Sequence, residues 1–194
     1  MSPVSPIVLS EKQRKIISDL SLAISKEGIE VKIDEPFGTP NEGLVAVDVE
    51  HNESGEYVGC GFYFGTSVAY YYSSLFHLHS VDFQSLAIIA HNGVSDFECL
   101  NMWGINVSNE QLYWDSMLLG HILDSSLKSY SLKDMAKREL GIIYPSYDDI
   151  VGKRGIKAER TTLDKQPLEL VSMYNAMDCI VTWQLYLKQK KHVN

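Results

Sequence analysis

Apolar positions recur three and four apart between residues 11 and 27, two apart between about 43 and 72, and beyond that the two spacings alternate. Ser10-Glu11-Lys12-Gln13 fits a capping box, and Ile16, Ile17, Leu20, Ala23 and Ile24 form an apolar stripe behind it. That pattern predicts a helix of about four turns ending near Gly28. Ile29 to Ile33 reads as a short strand, after which Glu35-Pro36-Phe37-Gly38-Thr39-Pro40-Asn41 breaks the chain. Residues 1–41 are therefore expected to form an N-terminal appendage, a helix plus linker behind a proline-containing leader, and 42–194 the main domain.

Gly43-Leu44-Val45-Ala46-Val47-Asp48-Val49-Glu50 has the look of a buried strand. Tyr57 to Phe64 and Ser67 to Tyr72 are β-rich runs joined at Gly65-Thr66, which predicts a hairpin and, with the first strand, a three-stranded meander. Leu86 to His91 is a further strand, followed by a helix from Val94 to Trp103 that stops at Gly104. Tyr113–Asp115 closes another strand, Ser116–Leu123 a helix, and Ser131–Leu140 a helix stopped at Gly141. Residues 141–165 read as loop, and the last helix runs from Pro167 to Lys190 with Leu170, Met173, Met177, Ile180, Gln184 and Leu187 as its core stripe. Strands first, then strand and helix in alternation, imply an α/β fold: a mixed central sheet flanked by helices.

At 194 residues, with 45% hydrophobic and 22% charged side chains, the chain is an ordinary globular domain able to bury a core. No apolar run reaches the ~20 residues of a membrane span, and the start lacks a signal peptide's basic and apolar regions. Cys60, Cys99 and Cys179 have neither zinc nor disulfide spacing and are expected as buried thiols. A cytoplasmic or equivalent reducing compartment, with no membrane partner, follows as the expectation.

The net charge of −8 is laid out unevenly. From Ile33 to Leu127 thirteen Asp and Glu stand without one Lys or Arg, whereas Lys128 to Arg160 carries eight basic residues against five acids. An acidic basin beside a basic flank suits a polyanion bridged by metal, although a basic run is also an ordinary solvated face.

Within the basin, Asp48 and Glu50 lie two apart on a strand and project to the same face. Two carboxylates so placed at the end of an apolar strand repel each other and lose solvation unless a cation bridges them. Ala90-His91-Asn92-Gly93-Val94-Ser95-Asp96 sits at a strand-to-helix turn, where ligand sites of open α/β sheets gather. Asp96 there is either a ligand or an acid favoured by the helix dipole, and Asn92 a contact or a cap. Tyr174 and Asp178 are four apart on the last helix and share a face. An acid at that boundary needs a lysine or a metal, and no basic residue stands within a turn of Asp178.

Asp-x-Glu on a strand, Asn-x-x-x-Asp about fifty residues on, and Tyr-x-x-x-Asp on a late helix together resemble the three motifs of the DEDD exonuclease superfamily, tyrosine variant. Trp114-Asp115-Ser116-Met117-Leu118, Ser131-Leu132-Lys133-Asp134-Met135-Ala136 and the stretch from Tyr174 to Leu185 are similar to segments of the 3′–5′ proofreading domain of bacterial DNA polymerase I. The resemblance covers about residues 42–190. It implies a ribonuclease H-like fold and two-metal hydrolysis of a terminal phosphodiester, with Asp48, Glu50, Asp96 and Asp178 holding two Mg²⁺ or Mn²⁺ ions and Tyr174 orienting the nucleophile. Asp115 matches a family position without a role of its own. His51 stands where relatives usually carry Thr or Ser, and Val94 and Ser95 precede Asp96 where many have Lys; His51 and Asn92 are the positions expected to meet the substrate terminus. The expected substrate is a single-stranded DNA 3′ end, with a polymerase domain or replication proteins as partners. RNA, as in ribonuclease D-like relatives, and a catalytically silent binding module are the competing readings.

Overall fold

The computed structural model describes residues 9–37, 43–153 and 160–193. The capping box forms: Gln13 N donates to Ser10 Oγ at 3.2 Å, and Ser10 N donates to the Gln13 side chain at 2.9 Å. It starts α1 (Glu11–Lys26), whose Ile16, Leu20 and Ile24 are buried. The strands β1 (Glu30–Ile33), β2 (Gly43–His51), β3 (Tyr57–Tyr63) and β4 (Val68–Tyr72) follow, then the short α2 (Leu75–Leu78). Next come β5 (Leu86–Ala90), α3 (Gly93–Met102), β6 (Leu112–Asp115) and α4 (Ser116–Leu123), and finally α5 (Leu132–Met135), α6 (Tyr147–Val151) and α7 (Leu168–Gln189).

One six-stranded sheet has the order β1-β4-β3-β2-β5-β6. The meander β2–β3–β4 is antiparallel, while β5 runs parallel to β2, β6 parallel to β5, and β1 parallel to β4. A mixed α/β sheet flanked by helices, of ribonuclease H-like type, is therefore what the chain builds. The stretch read as an N-terminal appendage contributes, over its described part, α1 packed on α7 and β1 added to the sheet edge beyond β4. Gly65, at φ +72°, turns the β3–β4 hairpin where its missing Cβ leaves room for the Trp183 ring.

The period of two along β2 sorts its side chains between two cores. Val45, Val47 and Val49 enter the one with α2 and α3, which also holds Phe62, Phe97 and Leu100. Ala46 enters the other, under α1 and α7, so Asp48 and Glu50 face α7. The helix α7 itself departs from the expected stripe. It lies between the sheet on one side and α1 and α4 on the others, so nearly every residue from Leu170 to Thr182 is buried, whereas Leu187 is exposed near its far end.

Three further expectations are corrected. The helix read over 131–140 is α-helical only in α5 and widens to a π-helix over Ala136–Leu140 before Gly141, at φ +73°, ends it. The loop 141–165 contains α6, opened by Ser146 and Asp149 as a capping box too short to register as periodicity. Cys60 and Cys179 are buried thiols, but Cys99 is partly exposed on α3. Of the basic run, Arg154 and Lys157 lie outside the described residues, as do residues 1–8 of the leader and 38–42, which include Gly38 to Asn41 of the break. Among the described residues no helix is long and apolar enough to cross a membrane.

Candidate active site

Where β2 leaves the sheet centre it meets the middle of α7, and carboxylate oxygens of Asp48, Glu50 and Asp178 come within 4.8 Å of one another. Asp48 and Asp178 line a cavity of about 530 Å³, together with Tyr174, His91, Lys133 and Asp148. Tyr174 and Asp178 share a helix face here, as their spacing of four requires. Asn175, one residue on, donates from Nδ2 to the Asp48 carboxylate at 2.7 Å and to the Asp48 carbonyl at 3.1 Å, fixing the first acid to the same helix. That contact needs Gly61 on the neighbouring strand, because a Cβ there would stand 1.8 Å from Asn175 Oδ1. Asp96 arrives from the opposite helical layer and falls outside the close triple. Its carboxyl is set against the Val49 backbone N–H and beside Asp48, and Oδ2 is buried without a hydrogen-bond partner.

Burial is the main cause that raises the Asp48 carboxyl well above its ordinary range, with Glu50 and Asp178 adding to it and the Lys133 ammonium opposing them. Burial, then Asp178, pushes Glu50 up to about 8. Asp96 is raised by burial and by Asp48. Asp48 still reaches the cavity and Glu50 is half-buried beside it, but the carboxylate groups are desolvated. Such a set fits a hard divalent cation: oxygen donors only, held together against their mutual repulsion, with one buried oxygen unpartnered. A pH dependence follows. In metal-free protein the native state keeps the Glu50 proton between the ordinary 4.5 and about 8, whereas the unfolded chain has released it. Native protein then binds more protons than unfolded, so stability falls as pH rises through that window. The thermal midpoint in chelator is expected to drop from about pH 5 to about pH 8, and excess Mg²⁺ to remove most of the drop, in melts across that range.

Asp178 has partners that its own helix did not reveal. The Lys133 ammonium pairs with Asp178 Oδ1, and the Tyr144 hydroxyl donates to the same oxygen at 2.6 Å. Lys133 lies over the Tyr144 ring at 3.9 Å and the Tyr174 ring at 4.3 Å. A lysine, which the sequence left open as one partner for Asp178, is thus supplied from 45 residues away, by α5. Its signal in the sequence is Ser131-Leu132-Lys133-Asp134, a segment that carries the family resemblance but whose spacing alone implies no role. Sequence spacing does not single out His91 either. It lines the cavity, its Nδ1 is 2.8 Å from Ser116 Oγ, and burial lowers its pKa so that the ring is neutral at pH 7.

Asp115 gains a role. Its carboxylate accepts from Asn92 N at 3.2 Å and Gly93 N at 2.8 Å, and from Met117 N and Leu118 N at 2.9 and 3.0 Å. It caps α4 and, with the same group, ties down the turn that launches α3 and Asp96. Asp115→Ala is expected to cost about 2–3 kcal/mol in denaturant titrations, since it removes a cap and leaves turn N–H groups unpaired. The two positions expected at the substrate terminus stand apart from the cavity lining. His51 is exposed beyond a register shift in β2, its Nδ1 2.8 Å from the Asn52 carbonyl. Asn92 is exposed at the N-cap of α3, at φ +70°, with no side-chain cap bond.

The sequence profile described as 3′-5′ exonuclease matches residues 38–194. Among solved structures, one titled "apo form of the nuclease" superposes with a TM-score of 0.58 at 14% identity, covering 84% of this chain and 81% of that one. Another, titled "Brucella melitensis NrnC with bound Mg2+", superposes with a TM-score of 0.57 at 14% identity, covering 84% and 80%. At such identities the superpositions speak for the fold. No curated protein matches the sequence.

Proposed function

We propose that this chain, which belongs to the 3′–5′ exonuclease family, hydrolyses the terminal phosphodiester of single-stranded DNA with Mg²⁺ or Mn²⁺ held by Asp48, Glu50, Asp96 and Asp178. The observation that carries the reading is the approach of Asp48, Glu50 and Asp178 to within 4.8 Å beside a cavity of about 530 Å³. When bound, the ions would supply a water of lowered pKa and stabilise the charge on the leaving 3′ oxygen. The chain's own residues do the rest. Asn175 holds the Asp48 carboxylate in place, and Asp115 holds the turn that carries Asp96. Tyr174 lines the cavity with its hydroxyl hydrogen-bonded to the Asp178 carboxylate, from where it would orient the attacking water. Burial and the neighbouring carboxylates raise that phenol well above its ordinary value, so it stays protonated and acts as a donor.

Retention of all four acids supports an active enzyme over a silent binding module, because three clustered desolvated carboxylates without chemistry would only destabilise the fold. The choice of DNA, and of a proofreading role beside a polymerase or replication proteins, rests on the motif segments shared with the polymerase proofreading domain. The choice of metal is supported by the Mg²⁺ named in one structural relative's title.

Degradation of 5′-labelled single-stranded DNA and RNA oligomers of one sequence, with Mg²⁺, with Mn²⁺ and with chelator, tests the reading. A ladder shortening from the 3′ end is expected only with metal, and faster on DNA. Faster shortening of RNA would overturn the substrate assignment, and cleavage indifferent to chelator would overturn the metal assignment.

A further inference from the structure

The cavity beside the acidic triple is an awkward place for a polyanion. Asp48, Asp134, Asp148 and Asp178 all line it, and among its described lining residues Lys133 carries the one permanent positive charge. That ammonium is not a loose surface charge. It is bonded to Asp178 Oδ1, stacked over two tyrosine rings, and only about a quarter of its side chain is exposed. It also counters the charge of Asp48 and Glu50 across the cluster. One cation therefore serves the same three carboxylates that a divalent ion would bind.

We propose that Lys133 is the cage's own counter-ion: its ammonium holds Asp178 until a divalent ion takes its place, and the displaced ammonium then receives the phosphodiester in the same cavity. The inference rests on the reading of the triple as a metal site. Its physical basis is exclusion by like charge. An ammonium bonded to a ligand oxygen and a divalent ion on the same carboxylate repel each other in a desolvated site. The tyrosine faces give the released ammonium somewhere to stay, since Tyr144 and Tyr174 attract it through their rings whether or not Asp178 is free. Lys133 is then a positioning residue for the metal and a binding residue for the substrate.

The test is Mn²⁺ binding to the full chain without substrate, followed by titration calorimetry and by the resonance signal of free Mn²⁺. Lys133→Met is expected to bind Mn²⁺ about tenfold more tightly, because no charged hydrogen bond has to be broken first. At saturating Mn²⁺ its KM for a single-stranded oligomer is expected to rise about five- to tenfold, from loss of a charge-assisted contact to phosphate. Equal or weaker Mn²⁺ binding would overturn the exchange, and an unchanged KM would overturn the substrate contact. A melt in chelator checks that Lys133→Met is folded. If it is not, Tyr144→Phe, which removes the other donor to Asp178 Oδ1, carries the test with an expected tightening of about threefold. Asp48→Asn separates this inference from its premise. Mn²⁺ binding that survives Asp48→Asn sinks the metal reading and the lysine with it, whereas binding that needs Asp48 and ignores both Lys133 and Tyr144 sinks the lysine alone.

Discussion

Asp48→Ala, which removes one of the proposed metal ligands, is expected to reduce metal-dependent shortening of a 5′-labelled oligomer by ~10³–10⁴-fold or more, a loss of several kcal/mol of transition-state stabilisation. Asp178→Ala is expected to do the same to activity, yet the two should part on stability. Asp48 is one of three mutually repelling, desolvated acids, so removing it relieves the metal-free fold, and its melting midpoint in chelator should hold or rise. Asn175 keeps its bond to the residue 48 carbonyl when the carboxylate goes. Asp178, by contrast, is the acceptor for the Lys133 ammonium and the Tyr144 hydroxyl. Its removal strands a half-buried cation and a buried donor, a loss of about 2–4 kcal/mol. An Asp48→Ala variant that degrades oligomers at the parent rate would end the metal assignment. Equal melts of the two variants in chelator would mean that Lys133 does not depend on Asp178.

That contrast also marks what the sequence could and could not disclose. The period of two in Leu44–Glu50 was enough to put Asp48 and Glu50 on one face, and the spacing of four was enough for Tyr174 and Asp178, because each is a property of a single element. Strand and helix identities followed the same way, with losses where an element was too short for its period to register, as in α2 and α6, and where the helix after Ser131 widens to a π-helix over Ala136–Leu140. What spacing could not reach was contact between elements. Lys133 and Asp178 are 45 positions apart and meet because α5 packs on α7, and the four N–H groups converging on Asp115 come from two different turns. The resemblance had already singled out both segments. A role for either residue needed the third dimension. The stripe expected on α7 falls short for a related reason: a helix covered by other elements on most sides shows no polar face, so periodicity understates its burial.

Tyr174→Phe is expected to lower kcat about 10- to 100-fold, the size of effect that follows from a misaligned nucleophile, while Mn²⁺ affinity stays within about twofold. The substitution keeps the buried ring, so Lys133 retains its face and the α7 core its packing. Only the hydroxyl goes. Because that phenol stays protonated at working pH, its loss should lower the rate by a constant factor across the pH profile and should not delete a limb of it. The structure supplies an internal comparison, since Tyr144 brings a second hydroxyl to Asp178, bonded at 2.6 Å, on the same cavity side as Lys133. If nucleophile orientation belongs to Tyr174, Tyr144→Phe should change Mn²⁺ binding more than kcat, and Tyr174→Phe the reverse. A swapped pattern would assign the orienting hydroxyl to Tyr144, which stands outside the Tyr-x-x-x-Asp motif. Parent rates in both variants would remove tyrosine from the mechanism and leave alignment of the water to the carboxylates.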